Sequence, residues 1–133
     1  MLYLIRGIPG SGKSTYAKSL GCLVVEADMY SMRNGVYDYD HTRIGDAHAW
    51  SLEMAKMAMD RGMDVAVANT FVYYKFMDPY IQYANRLNIP VKIIKCNGNH
   101  KSVHPVPKKI IEAMKQNWEQ LPPFISEEVK RND

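Results

Sequence analysis

Gly7-Ile8-Pro9-Gly10-Ser11-Gly12-Lys13-Ser14-Thr15 fills the pattern G-x-x-x-x-G-K-[ST] and adds a second hydroxyl residue. The glycines allow a tight turn in which successive N–H groups converge on phosphate oxygens without Cβ atoms in the way. Lys13 is placed to reach the β- and γ-phosphates of a nucleotide, and the Ser14 hydroxyl to ligate Mg²⁺. The flanks support this phosphate cradle. Leu2-Tyr3-Leu4-Ile5 is a short apolar run suited to a buried strand, and Ser14 to Leu20 can start a helix.

The full chain has 133 residues, 47% hydrophobic and 23% charged, which predicts one soluble globular domain. A formal charge of +3 tolerates a polyanionic partner without requiring one. Cys22 and Cys96 lie in no C-x-x-C pair, and their setting is expected to be a reducing cytoplasm. The first apolar run stops at Arg6, short of a signal peptide or membrane span, so no membrane partner is expected. The organisation read from these features is a domain over 1–121 and a polar C-terminal tail over 122–133 after Pro122-Pro123.

Elements alternate along the chain. Gly21 stops the first helix, and Cys22 to Glu26 forms a second apolar run. Thr42 onward predicts a helix, with Ile44, Ala47, Ser51, Met54, Ala55, Ala58 and Met59 as its core-facing stripe. Arg61-Gly62 ends it, and Asp64 to Ala68 reads as a third strand. Asp78-Pro79 predicts the start of a helix to about Leu87, followed by a fourth strand at Val91 to Lys95. A polar loop then runs to Pro107, and a last amphipathic helix carries Ile110, Ile111, Met114 and Trp118. This α/β alternation predicts a parallel sheet of about four strands covered by helices on both faces.

Ligands of such sheets gather at the carboxyl ends of the strands. Asp28, just past the second strand, is therefore a candidate general base or Mg²⁺-water ligand; helix capping is its other ordinary use. Asn69 stands at the end of the third strand, where phosphate-loop proteins commonly carry an acid for Mg²⁺. Its options are hydrogen bonding to substrate, orienting Asp28, or a plain strand-end turn. His48 and Trp50 fall on different faces of the second helix, with packing as the alternative role for both.

With these positions placed, residues 2 to 120 resemble the polynucleotide-kinase-like P-loop kinases. That family includes the kinase domain of T-even phage 5′-hydroxyl polynucleotide kinase and a small domain of animal ubiquitin-ligase-binding proteins. Its loop, Arg-Gly-x-Pro-Gly-Ser-Gly-Lys-Ser-Thr, is matched by Arg6 to Thr15. Its Asp-Asp-Tyr-Arg segment falls on Asp28 and Tyr30, with Ser31 in place of the arginine and Arg33 two residues on. Ala47-His48-Ala49-Trp50 and Asn69-Thr70 match further motifs, and Lys101 to Pro107 takes the place of a lid motif, with Lys101 for its arginine and His104 retained.

The resemblance implies a P-loop NTPase fold of strand order 2-3-1-4 and an ATP- and Mg²⁺-dependent kinase. The acceptor would be a hydroxyl on a nucleic-acid 5′ end, a nucleoside or a nucleotide. Residues Gly7 to Thr15 (Gly7, Ile8, Pro9, Gly10, Ser11, Gly12, Lys13, Ser14, Thr15) would bind the nucleotide, and Ser14 the metal. Asp28, Lys13 and Lys101 would be catalytic, with Arg33, Asn69, His48 and His104 on the substrate side. Ser31, Lys101 and Asn69 also support a second reading, a nucleotide-binding switch that acts on a protein partner with little or no transfer.

Overall fold

A computed structural model describes residues 1–33, 36–37, 44–98 and 106–130, with backbone alone at 31–33, 36–37 and 44. The strands are β1 (Leu2–Arg6), β2 (Leu23–Val25), β3 (Met32–Arg33), β4 (Val36–Tyr37), β5 (Val65–Ala68), β6 (Val91–Cys96) and β7 (Glu128–Lys130). The helices are α1 (Lys13–Ser19), α2 (Ile44–Asp60), α3 (Tyr74–Arg86) and α4 (Lys108–Asn117), and a 3₁₀ turn spans Ala27–Ser31.

The main sheet is parallel, in the order β2-β5-β1-β6-β7. Its first four members reproduce the expected order 2-3-1-4. The strand count differs from the expected four, because β7 comes from the stretch read as a polar tail. All of β7 is exposed, so apolar periodicity could not mark it. It is held instead by backbone pairing along Ile94 to Cys96. A separate antiparallel pair, β3 and β4, joins Met32 to Tyr37 and Arg33 to Val36.

Side-chain alternation along the strands divides the interior into two layers. Leu2, Leu4, Val65, Val67 and Ile93 point to one face, where Ala55, Ala58 and Met59 of α2 and Met77, Tyr80, Ile81 and Ala84 of α3 cover them. Ile5, Ala66, Ala68, Ile94 and Cys96 point to the other, against Ala17 of α1. Because both faces are covered, the strands read as continuous apolar runs rather than alternating ones. On the α1 side the inward residues of β5 are alanines, whose small volume lets the helix following the phosphate loop lie close to the sheet.

The third helix begins earlier than expected, at Tyr74, and Pro79 lies inside it. Its start is capped from a distance: Glu119 Oε1 accepts the Tyr74 amide at 2.9 Å. A cap contributed 45 residues away leaves no local signal. Pro79 removes one intrahelical donor, on an exposed face.

Arg6, fully buried at the end of β1, ties the C-terminal segment to this framework. Its guanidinium donates to the carbonyls of Phe71 (2.9 Å) and Glu119 (2.9 Å), pairs with Glu127 (3.4 Å), and lies 4.2 Å from the Trp118 ring centroid. Phe71 holds a left-handed backbone, φ 47°, uncommon for a bulky residue. Its carbonyl is fixed by Arg6 and its ring packs edge-on to Tyr80 at 5.6 Å. Among the described residues no helix is long and apolar enough to cross a membrane.

Candidate active site

The loop between β1 and α1 adopts the geometry its composition predicts. Gly10 and Gly12 have φ of 86° and 95°, values that disfavour side chains. A Cβ on Gly7 would lie 2.3 Å from Ser11 Oγ and 2.9 Å from the Cys96 carbonyl, so only glycine fits where the loop leaves the sheet. The loop is fastened at both ends. Gly7 donates to the Thr70 carbonyl at 3.2 Å, and Gly98, past β6, donates to the Ser11 carbonyl at 3.0 Å.

Lys13 folds back over the loop and donates from Nζ to the Ile8 carbonyl at 3.1 Å. Burial pushes its pKa down, opposed foremost by the charge of Asp28 and also by that of Glu26. Asp28 itself is exposed, on the 3₁₀ turn that follows β2.

Between the two loops stands the end of β5, since β5 separates β1 from β2 in the sheet. Asn69 Oδ1 accepts the Ala27 amide at 2.7 Å, next to Asp28, while the carbonyl of Thr70 takes Gly7. One two-residue segment thus fixes both the phosphate loop and the Asp28 turn. Asn69 Nδ2 donates to Ser51 Oγ at 3.2 Å, and Tyr80 OH donates to the same oxygen at 2.9 Å. Burial raises the Tyr80 hydroxyl to about 12, so it stays a donor.

The structure also brings in Glu26, which the apolar run Cys22 to Glu26 includes in the second strand. The strand ends at Val25, and Glu26 stands just beyond it, where its carboxylate accepts the Ser14 hydroxyl. The available signal was its position at a carboxyl strand end. Ser14 with Glu26 suits Mg²⁺, a hard cation that takes oxygen ligands and keeps part of its water shell. Among the described residues no group of three His, Cys, Asp or Glu side chains offers a rival metal site.

His48, on α2, is half-buried and stacks on Phe76 of α3, with ring centroids 5.0 Å apart and planes 10° from parallel. Burial lowers its pKa, and the charge of Asp28 acts in the opposite sense. Trp50 packs against the core and lies 6.3 Å from the Tyr30 ring. Arg33 is in β3, paired through its backbone with Val36. Its side chain, Lys101 and His104 lie outside the described residues.

A family model described as an AAA domain matches residues 2–121. The chain belongs to this family. Its loop over Gly7 to Thr15 joins β1 to α1 of a parallel α/β sheet. The human NEDD4-binding protein 2 is 27% identical over 136 residues, covering 91% of this chain but 8% of that protein. The chain therefore spans a small part of the relative's length. An unliganded sugar kinase from Janibacter sp. HTCC2649 superposes with a TM-score of 0.69 at 19% identity, covering 98% of this chain and 84% of that one. Kti12 of Chaetomium thermophilum, solved with ADP-AlF3, gives 0.65 at 15% identity, covering 99% and 88%. At these identities the superpositions establish the fold alone.

Proposed function

We propose that this chain transfers the γ-phosphoryl group of ATP to a hydroxyl of a nucleic-acid 5′ end, a nucleoside or a nucleotide. The observation that carries the reading is that one strand end fixes both the phosphate loop, through Gly7 and Thr70, and the turn that carries Asp28, through Ala27 and Asn69.

The division of labour follows from the chemistry of each group. Loop amides from Gly10 to Ser14 bind phosphate oxygens, and Lys13 exchanges its Ile8 partner for the β- and γ-phosphates. Ser14 would hold Mg²⁺ through its hydroxyl oxygen, with Glu26 accepting the hydrogen bond from that hydroxyl. When bound, Mg²⁺ neutralises charge on the β- and γ-phosphate oxygens. Asp28 accepts the proton of the attacking hydroxyl. Lys101 would supply further positive charge, and Arg33, Asn69, His48 and His104 would serve the acceptor side. A cytoplasmic setting suits the free thiols of Cys22 and Cys96.

Transfer of label from γ-labelled ATP to 5′-hydroxyl oligonucleotides and to a nucleoside panel tests the reading. Asp28→Asn is expected to lower transfer about 10²- to 10⁴-fold while leaving ATP binding intact. Full transfer by that variant, or no labelled acceptor, would overturn it. The second reading, a nucleotide-dependent partner module, is favoured by the binding activity stated in the human relative's name. Capture of a protein partner only with nucleotide, and no labelled acceptor, would support that alternative.

A further inference from the structure

The main sheet ends on β7, and among the described residues no strand lies beyond it. All three of its residues are exposed, Val129 to 52%. In a parallel pair the backbone groups of alternate residues turn to the same neighbour. The Lys130 carbonyl accepts the Asn97 amide at 2.9 Å, so Lys130 turns to β6, and Val129, one residue back, turns its N–H and C=O to the open edge. Such an edge is a template for another strand.

The side chains select which strand. Glu128 and Lys130 share one face of the sheet: Glu128 pairs with Lys92 of β6 at 3.3 Å, and the Lys130 ammonium lies 5.8 Å from the Tyr16 ring of α1. Read in reverse, Glu128-Val129-Lys130 is its own charge complement. We propose that β7 pairs antiparallel with β7 of a second copy of this chain about a two-fold axis at Val129, joining two five-stranded sheets edge to edge.

In that arrangement the two Val129 residues exchange N–H···O=C bonds. Glu128 of each copy faces Lys130 of the other in the flanking pairs, where side chains lie closest. In the sequence the symmetry continues one position outward, with Glu127 set against Arg131. Shifting the register by two residues sets Glu128 against Glu128 or Lys130 against Lys130, which disfavours slippage. Three residues of pairing make a small interface, so the association is weak and concentration-dependent. It is independent of the phosphotransfer reading.

Sedimentation velocity over a concentration series of the full chain tests the proposal. Glu128→Lys alone and Lys130→Glu alone should each weaken dimerisation roughly 5- to 50-fold, since each replaces two opposite-charge pairs by two like-charge pairs. An equimolar mixture of the two variants should associate again, because one strand is then wholly cationic and the other wholly anionic at these positions. Val129→Pro removes the outward donor and leaves the bonds to β6, so it should abolish the dimer. Protection of the Asn97 amide against exchange reports that β7 stays on β6 in each variant.

A wild-type chain that stays monomeric across the series overturns the proposal. So does a dimer that persists in Val129→Pro or is unmoved by both charge reversals, since another surface then holds it. Failure of the mixed variants to associate, with Asn97 still protected in both, overturns it as well.

Discussion

Asn69 Oδ1 accepts the Ala27 amide at 2.7 Å, so a neutral side chain at the end of β5 holds the turn that carries Asp28. The same amide group donates to Ser51, on α2. Where an acid is common in phosphate-loop proteins, this chain uses both halves of a carboxamide: an acceptor for one element and a donor for another.

Removing that side chain leaves the Ala27 amide and Ser51 short of a partner. Asn69→Ala is expected to cost about 1–3 kcal/mol of stability, read from urea denaturation. Asn69→Asp keeps the acceptor toward Ala27 and loses the donor toward Ser51. Its loss should therefore be the smaller, and an equal loss would count against the bond to Ala27.

Glu26 accepts the hydroxyl of Ser14 and so orients the proposed metal ligand. Glu26→Gln should raise the Mg²⁺ concentration for half-maximal transfer about 10- to 100-fold. Binding of ATP without Mg²⁺ should change little. A titration of transfer against Mg²⁺ that superimposes on wild type would remove Glu26 from the site.

Arg6 is completely buried, and its partners come from segments on both sides of the site: Phe71, Val72, Glu119 and Glu127. Arg6→Met should destabilise the fold by about 3 kcal/mol, since Glu127 and the carbonyls lose a charged donor. Arg6→Lys should rescue little, because an ammonium lacks the planar fork that reaches several acceptors at once. Amide exchange at Asn97, which donates to the Lys130 carbonyl, should accelerate if Arg6 anchors β7 as the contacts imply.

Burial holds the pKa of His48 below 6.5. As pH falls below that value the unfolded chain takes up a proton at this position before the folded one does, so stability declines. His48→Gln is expected to lose less stability than wild type between pH 7.5 and pH 5.5, measured as the shift in urea midpoint. Parallel pH dependences in the two proteins would show that His48 is not the group responsible.

Much of this architecture is legible in local sequence. The glycine pattern sets the loop, apolar runs set β1, β5 and β6, and the 3.6-residue stripe places Ala55, Ala58 and Met59 in the core. Asp28 and Asn69 are legible as strand-end residues. Glu26 is not, because a one-residue error in the end of β2 turns a site residue into a strand residue. Tyr74 is hidden as a helix start, since its cap is a carboxylate on Glu119. His48 is visible in its motif, but its stacking partner on α3 is not.

By itself the sequence determines what short-range physics encodes: where backbone needs glycine, which faces are apolar, and which charged residues follow a strand. The tertiary structure alone decides which of those residues meet. Asn69 reaches Ala27 across 42 positions, Arg6 reaches Glu127 across 121, and β7 joins the sheet through backbone hydrogen bonds that any sequence can make. Hydrogen-bonding and stacking partners depend on distance and direction in space. Spacing along the chain fixes these only within a helix or a strand, and the candidate site is assembled from several of both.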